Sequence, residues 1–187
     1  MFKKGTTLVV CDIETAGIPV SYDIIQIAAV VVSTEDFSEK ETFEAKLKFD
    51  PTKAEKSALE INHYSTEAWK DAVEPAVGLN KLAKLFERHR YAKRVSAAGR
   101  GYTVAIAAGY NGGFDSERIM FQSRKRGIFQ PVDPRFLDIM QLAFWRQLDL
   151  DSYKLTSIAK HFGLDVSKAH DALADVRLTI EVLKRLL

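Results

Sequence analysis

The sequence has few of the features that mark secreted, membrane-bound or disulfide-rich proteins. Its 187 residues include one cysteine, Cys11, which excludes an internal disulfide and a zinc cluster built from cysteines. No apolar run approaches the roughly 18 residues of a membrane span, and the N-terminal residues lack the apolar stretch of a signal peptide. We therefore expect a cytoplasmic protein without membrane attachment.

The sequence also has little net charge and no internal repeat. A formal charge of +2 is too small to indicate nucleic-acid binding by itself. Basic residues do cluster in residues 84–100 and 124–126, and each cluster is consistent with phosphate contacts or with a solvated surface. With 47% hydrophobic and 28% charged residues, the composition is that of a soluble globular protein, most simply one domain over residues 1–187.

Two acids stand out because they lie within an apolar segment. Asp12 and Glu14 close the run Leu8–Thr15, and an acid inside an apolar strand is costly to bury unless it is paired or binds a metal. Side chains two residues apart on a strand point to the same face, so the two carboxylates would lie side by side and need a cation between them. The pattern predicts a metal site. We interpret Cys11, which alternates with Asp12, as a small buried residue on the opposite face.

Two further segments carry related chemistry, Asp115 at the end of residues 110–115 and the pair His170 and Asp175. The three places together resemble the DEDDh family of 3′→5′ exonucleases in their order, internal spacing and separation. The resemblance extends over residues 7–187, and its motifs read Asp12-Ile13-Glu14-Thr15, Asn111-Gly112-Gly113-Phe114-Asp115 and His170…Asp175.

The resemblance implies a metal-dependent enzyme that releases 5′-mononucleotides from single-stranded or frayed nucleic-acid 3′ ends. It also implies an α/β fold, a ribonuclease-H-like mixed sheet of about five strands flanked by helices, as a single exonuclease domain. Two divalent ions, Mg²⁺ or Mn²⁺, would be held by Asp12, Glu14, Asp115 and Asp175, with Asp12 bridging them. His170 would be the general base, a role that suits histidine because it titrates near neutral pH. The absence of cysteine or paired-histidine ligands argues against zinc.

The resemblance also suggests where the substrate would bind. Thr15, Ala16 and Gly17 would hold the 3′-terminal nucleotide through backbone groups, and Ile18 would wedge against its base. Asn111 and Phe114 are further candidates that could instead pack or brace the loop. Two other acids have structural interpretations, Asp171 as a helix N-cap and Asp138 as a structural group beside the ligands.

The sequence departs from the family pattern at three places. Cys11 replaces a common phenylalanine. The segment Ile61-Asn62-His63-Tyr64 replaces a glycine-containing turn near the terminal nucleotide, so end recognition there could differ. The connection over residues 93–102 is longer than the minimal one.

Hydrophobic periodicity predicts alternating strands and helices, of which the first three strands would form an antiparallel meander. The predicted strands are residues 6–15, 23–33, 43–49 and 103–108, and the predicted helices are residues 53–62, 76–90, 116–126, 155–162 and 171–187. Residues 136–147 would form a short strand and a helix, and residues 91–101 a basic linker.

Other interpretations stay open at this point. The chain could be a catalytically silent protein that binds nucleic-acid ends, although four crowded acids would not help a binder without metal. It could also be an accessory subunit or, less simply, a metal-dependent phosphatase, which would not account for Thr15–Ile18. The sequence does not distinguish DNA from RNA, nor does it give an oligomeric state.

Overall fold

The computed structural model describes residues 4–187, which fold around a mixed five-stranded sheet. The strands are β1 (Thr7–Thr15), β2 (Ile24–Ser33), β3 (Glu39–Lys46), β4 (Ala92–Val95), β5 (Gly101–Val104), β6 (Ala107–Gly109) and β7 (Leu137–Asp138). The main sheet has the order β3-β2-β1-β6-β7, and β4 and β5 form a separate hairpin. The predicted α/β fold with about five strands is confirmed.

Helices cover both faces of the sheet. They are α1 (Lys56–Ile61), α2 (Pro75–Arg88), α3 (Gly112–Lys125), α4 (Ile139–Trp145), α5 (Leu155–His161) and α6 (Ala172–Leu186), with a 3₁₀ turn at Pro51–Lys53. Within residues 4–187, none of these helices is long and apolar enough to cross a lipid bilayer.

The strand β2 is buried from Ile24 to Val32 because neighbours cover it on every side. It pairs with β1 and β3 as an antiparallel meander, as predicted. One face packs under α2 and α3, where Leu82, Phe86 and Ile119 are fully buried. The other face packs under α4, α5 and α6. Burial on both faces explains why this segment reads as a continuous apolar run without alternation.

The direction of the strands places several chain segments at one edge of the sheet. The strands β1, β6 and β7 run parallel, so their carboxyl ends share that edge. Helix α3 begins three residues after β6, and α6 packs against β1 and β2. This arrangement is the one in which open α/β sheets bind ligands, beyond the carboxyl ends of the strands.

The predicted linker over residues 91–101 is wrong, because the segment contains β4 and the start of β5. The predicted single strand over residues 103–108 is likewise divided. Val104 ends the hairpin, whereas Ala107 belongs to the main sheet beside Val9. Ala105 lies between them and bridges to Val132, so the chain passes from the small sheet to the large one within a few residues.

Two predicted boundaries also move. The third strand ends at Lys46 rather than residue 49, since Leu47 leaves the ladder and bridges to Val73. Helix α3 begins at Gly112 rather than residue 116, because Gly112 and Gly113 continue the helix despite their low helix propensity.

Candidate active site

The carboxyl end of β1 carries the first two acids. Cys11 and Ile13 pack on the α2 and α3 side of the sheet, so strand alternation turns Asp12 and Glu14 toward the α6 side. Burial, together with the Asp115 and Asp12 charges, raises the pKa of the Cys11 thiol well above its usual range. Cys11 is therefore a buried packing residue, as expected.

Helix α3 delivers Asp115 to the same place from the opposite face. The Asp115 Oδ1 atom accepts a hydrogen bond from the Ile13 backbone N–H at 3.2 Å. Gly109 makes this approach possible, because a Cβ at that position would lie 3.1 Å from Asp115 Oδ2 and from the Cys11 carbonyl oxygen. Asn111 turns the chain into the helix with φ 60°, a left-handed conformation that asparagine tolerates.

Helix α6 delivers Asp175. Asp171 caps this helix, as predicted, by accepting a hydrogen bond from the Ala174 N–H at 3.0 Å. The Asp175 Oδ2 atom accepts from the His170 N–H at 3.0 Å. The Asp175 Oδ1 atom is buried and has no hydrogen-bond partner among the described residues, which leaves an uncompensated acceptor at the site.

The four predicted ligand carboxylates form one electrostatically coupled cluster. Burial and the nearby charges of Asp115, Glu14 and Asp175 raise the pKa of Asp12 well above its usual range. Burial and the charge of Asp175 raise the pKa of Glu14 to about 8. Burial also raises the pKa of Asp115 to about 8, although the Ile13 N–H opposes the shift. Acids that disfavour their own ionisation in this way are stabilised by bound cations.

The donor set fits a divalent cation. Ligand atoms of Glu14, His170 and Asp175 all lie within 4.8 Å of one another. Asp12 and Asp115 lie outside that three-residue group but act on it electrostatically. Carboxylate oxygens are the ligands that Mg²⁺ and Mn²⁺ prefer, and the unpartnered Asp175 Oδ1 is an acceptor that such an ion would satisfy.

Backbone hydrogen bonds to neighbouring segments fix the turn after β1. The Ala16 N–H donates to the Asp23 carbonyl, and the Glu55 N–H donates to the Ala16 carbonyl, so both backbone groups of Ala16 are engaged internally. The Gly17 and Ile18 N–H groups donate to no other residue within 4–187. Of the four predicted substrate contacts in this turn, Gly17 and Ile18 therefore have backbone N–H groups that are free to donate. The Ile18 side chain is 74% exposed.

Asn62 fixes the same turn from the segment that departs from the family pattern. Its Nδ2 group donates to the Thr15 carbonyl at 3.0 Å, and the Asn62 side chain is buried. The following His63 adopts φ 50°, a left-handed conformation in which glycine would carry less strain. The turn thus keeps the backbone that a glycine would favour, with an exposed imidazole beside it.

Arg118 is a residue of the site that the sequence analysis missed. It is 5% exposed, donates to the Ile18 carbonyl and to the Phe114 carbonyl, and stacks its guanidinium 3.3 Å from the centre of the Phe114 ring. Phe114 thereby supports the Ile18 turn indirectly, because it packs against the Arg118 side chain that donates to the Ile18 carbonyl. Its spacing of four from Phe114 on a helix was the available signal.

Gln26 is a second missed residue. It lies opposite Glu14 in the antiparallel register and is 2% exposed. Its side-chain amide donates to Asp171 Oδ2 at 3.3 Å and to Glu44 Oε1 at 2.9 Å. Gln26 therefore ties the start of α6 to the sheet, and a polar residue inside the apolar run of β2 was the signal for it.

Asp138 braces the Asn111 turn. Its Oδ1 atom accepts hydrogen bonds from the Asn111 N–H at 3.1 Å and the Met140 N–H at 2.9 Å, so it also caps α4. This agrees with the structural role predicted for it. Asn111 itself is exposed at the sheet edge.

The sequence matches no protein-family model and no curated protein. The fold does match solved structures of exonuclease I. One such structure aligns with a TM-score of 0.72 and 21% identity over 97% of this chain and 42% of that chain. E. coli exonuclease I in complex with a dT13 oligonucleotide aligns with a TM-score of 0.73 and 20% identity over 97% of this chain and 41% of that one.

The zinc-bound form of an E. coli exonuclease I complex with single-stranded DNA aligns with a TM-score of 0.73 and 21% identity, over 96% of this chain and 40% of the other. The present chain thus spans less than half the length of these exonuclease I chains. At this level of identity the likeness shows the fold, and the predicted ribonuclease-H-like architecture is confirmed.

Proposed function

We propose that the protein is a metal-dependent 3′→5′ exonuclease of the DEDDh type that acts on single-stranded or frayed nucleic-acid ends. The observation that carries the proposal is the convergence of four acids from three chain segments on one sheet edge, where each has a raised pKa. The shared fold with exonuclease I, whose E. coli structures include single-stranded DNA complexes, supports the same class of activity.

The proposed cofactor is a pair of divalent ions, Mg²⁺ or Mn²⁺, held by Asp12, Glu14, Asp115 and Asp175. When bound, such a pair supplies positive charge for the attacking water and for the leaving oxygen of a phosphodiester. The chain contributes the rigid part of this arrangement. Asp115 is fixed by the Ile13 N–H, and Asp175 is fixed by the His170 N–H.

His170 is the proposed general base. It is exposed on the segment just before α6, and one of its ring nitrogens lies within 4.8 Å of carboxylate oxygens of Glu14 and Asp175. A histidine in this position can take a proton from water that attacks the terminal phosphodiester, because its ordinary titration range is near neutral pH.

The turn Thr15–Ile18 is the proposed 3′-end cap. The free N–H groups of Gly17 and Ile18 would donate to the terminal nucleotide, and the exposed Ile18 side chain would pack against its base. Thr15 and Ala16 would serve mainly by shaping the turn, since the Thr15 hydroxyl donates to the Gly17 carbonyl at 2.9 Å. Asn111 and Phe114 complete the edge, Phe114 through the stacked Arg118.

The proposed location is the cytoplasm, which fits a single free, buried cysteine, Cys11. The rival function is a silent protein that binds nucleic-acid ends. Four acids whose charges oppose one another would repel a phosphate in such a binder, whereas with cations between them they would attract it.

The proposal is tested with 5′-labelled single-stranded DNA, duplex DNA and single-stranded RNA in Mg²⁺, Mn²⁺ or Zn²⁺. We expect a ladder that shortens from the 3′ end in Mg²⁺ or Mn²⁺, and its polymer dependence decides between DNA and RNA. Asp12→Asn, which keeps the side-chain shape, should abolish cleavage and weaken divalent binding measured by calorimetry. Cleavage by Asp12→Asn at the wild-type rate would refute the metal site, and binding without cleavage in every metal would favour the silent binder.

A further inference from the structure

A cavity separate from the acids lies between the β4–β5 hairpin, the second half of α3 and residues 128–135. Its volume is about 390 Å³, which falls within the range of small-molecule and nucleotide sites. Val104 and Val132, on its wall, flank the amino ends of β6 and β7, whereas the acids lie at the carboxyl end of β1. Along α3, Asp115 precedes the lining residues Met120 and Arg124 by five and nine residues, a rise of about 8 to 14 Å that separates the two places.

The cavity has an apolar floor and exposed aromatic rings. Val104, Met120, Ile128 and Val132 line it, and Val104 and Val132 are buried. Two rings also belong to the lining and are open to solvent, Phe129 with 74% and Tyr102 with 45% of their surface exposed. Exposed rings beside an apolar floor form a surface on which a flat aromatic ligand can stack.

The rim of the cavity has an excess of positive charge. Arg94 and Arg135 both donate to Asp133, whose pKa they lower to about 2 against the effect of burial. Arg124 also lines the cavity and forms no ion pair within residues 4–187. The lining therefore contains three guanidinium groups and one carboxylate, Asp133. Arg94 and Arg124 come from the two basic clusters noted in the sequence, so the fold brings one arginine of each cluster to this cavity.

The wall of the cavity also has an unused polar group. The side-chain amide nitrogen of Gln130 donates to the Leu79 carbonyl at 3.1 Å and to Ser123 Oγ at 2.9 Å. Its Oε1 atom is buried and has no hydrogen-bond partner in the described part of the chain. This orientation leaves an unpaired acceptor on a residue of the cavity wall.

We propose that this cavity binds a base and an adjacent phosphate of single-stranded nucleic acid, and so anchors the strand at a distance from its 3′ end. Aromatic rings that stack bases, combined with arginines that contact phosphates, are the means by which proteins bind single strands without sequence preference. The inference rests on the proposed function for its choice of ligand. The surplus positive charge selects an anionic polymer over a neutral apolar ligand.

The test measures binding and cleavage separately. Arg124→Ala and Phe129→Ala are compared with wild type in EDTA, by fluorescence anisotropy with an oligothymidylate of about 12 nucleotides. We expect Phe129→Ala to bind at least about fivefold more weakly, the loss typical of one stacked base. Arg124→Ala should flatten the dependence of log affinity on log salt by about 0.7, the value for one phosphate contact to a single strand.

Two matched controls are exposed residues that do not line the cavity, Trp145→Ala for the ring and Lys84→Ala for the charge. Cleavage of a dinucleotide, whose single phosphodiester must lie at the acids and so leaves no phosphate for the cavity, should be unchanged in all four variants. Unchanged affinity and salt slope in both cavity variants would overturn the inference. Displacement of the oligonucleotide by an equal concentration of thymidine 5′-monophosphate would also overturn it, in favour of a free-nucleotide site. Absence of cleavage by wild type, with cavity-dependent binding intact, would refute only the proposed function.

Discussion

At the scale of single residues, His170 combines an exposed imidazole with a constrained backbone. Its φ of 70° lies in the left-handed region, which is uncommon for residues other than glycine. The hydrogen bond from its N–H to Asp175 Oδ2 holds this conformation in place. The strain is therefore tied to the acid cluster, which favours a role for His170 in the chemistry over a role in packing.

We predict that His170→Asn lowers turnover by about 10²–10⁴, the usual cost of removing a general base. Asparagine is chosen because it tolerates the left-handed backbone, so the Asp175 contact should persist. Steady-state kinetics measure the turnover, and calorimetry measures divalent binding, which should change little. A parallel loss of metal affinity would instead make His170 a metal ligand, and near-wild-type turnover would exclude it from the chemistry.

At the scale of elements, the turn that follows β1 depends on a close contact at Gly17. A Cβ at this position would lie 2.9 Å from Glu55 Oε1 and from the Tyr22 ring, nearer than real Cβ atoms approach other groups. Gly17→Ala should therefore displace the Ile18 cap. We predict an increase in KM of about 10-fold to 10²-fold for single-stranded substrates, since small displacements of positioning groups have effects of this size.

The matched control for this prediction is Gly113→Ala in α3. A Cβ at Gly113 meets nothing within 4 Å, and alanine has the higher helix propensity. The kinetics of both variants should be compared with their urea unfolding curves and with their affinities for divalent ions. Gly17→Ala should leave the stability and the divalent affinity near the wild-type values. An equal change in KM for both alanine variants, or none for Gly17→Ala, would contradict the role of the turn.

The elements that the sequence predicted well are those whose burial is simple. The strands β1 and β2 were found within one residue of their limits because their apolar runs are long and covered on both faces. The β4–β5 hairpin was missed because its strands are largely exposed and only four residues long, too short for a clear apolar alternation. Whether a short exposed segment of this kind forms a strand depends on its pairing with another strand, and that pairing exists only in the folded chain.

The residues of the site also differ in whether the sequence alone could predict them. Asp12 and Glu14 could be located from strand alternation, whereas Asp115, His170 and Asp175 were located from the resemblance of their motifs to the DEDDh family. Arg118 and Gln26 could not be assigned in the same way, since their roles depend on contacts with Ile18 and Asp171 across the fold. The cavity could not be predicted from the sequence because one of its walls is the β4–β5 hairpin, which was not predicted.

At the scale of the whole molecule, the acid cluster should make stability depend on pH when no metal is present. The pKa values of Glu14 and Asp115 are raised to about 8 in the folded protein, whereas unfolded acids titrate near 4. The folded state therefore keeps protons that the unfolded state releases. We predict that the free energy of unfolding of the metal-free protein falls as pH rises from about 4 to about 8.

Urea unfolding in EDTA at pH 5 and at pH 8 measures this loss, and added Mg²⁺ or Mn²⁺ should reduce it at pH 8. Asp115→Asn removes one of the opposing charges and should make the pH dependence shallower. Asp36→Asn is the control, because the pKa of Asp36 is lowered to about 2 by hydrogen bonds from Ser38, so it is ionised throughout this range in both states. Stability that is constant or rises between the two pH values would contradict the raised pKa values.

The last prediction concerns the direction in which the proposed exonuclease would act along its substrate. If the Ile18 turn caps the terminal nucleotide, the site accepts a strand with a free 3′-hydroxyl and refuses one without an end. Linear single strands should release 5′-mononucleotides one at a time, a 3′-phosphate should slow the first cleavage by crowding the cap, and a circular single strand should survive. Chromatography of the products and gel analysis of the circle measure these outcomes.

The circle must be incubated in parallel with the Asp12→Asn protein, so that a contaminating nuclease is recognised. Cutting of the circle by wild type, absent with Asp12→Asn, would identify an endonuclease. In that case the exposed Ile18 side chain would not stop the nucleic-acid chain from continuing past the acids. The acids alone would then determine which phosphodiester bond is cut.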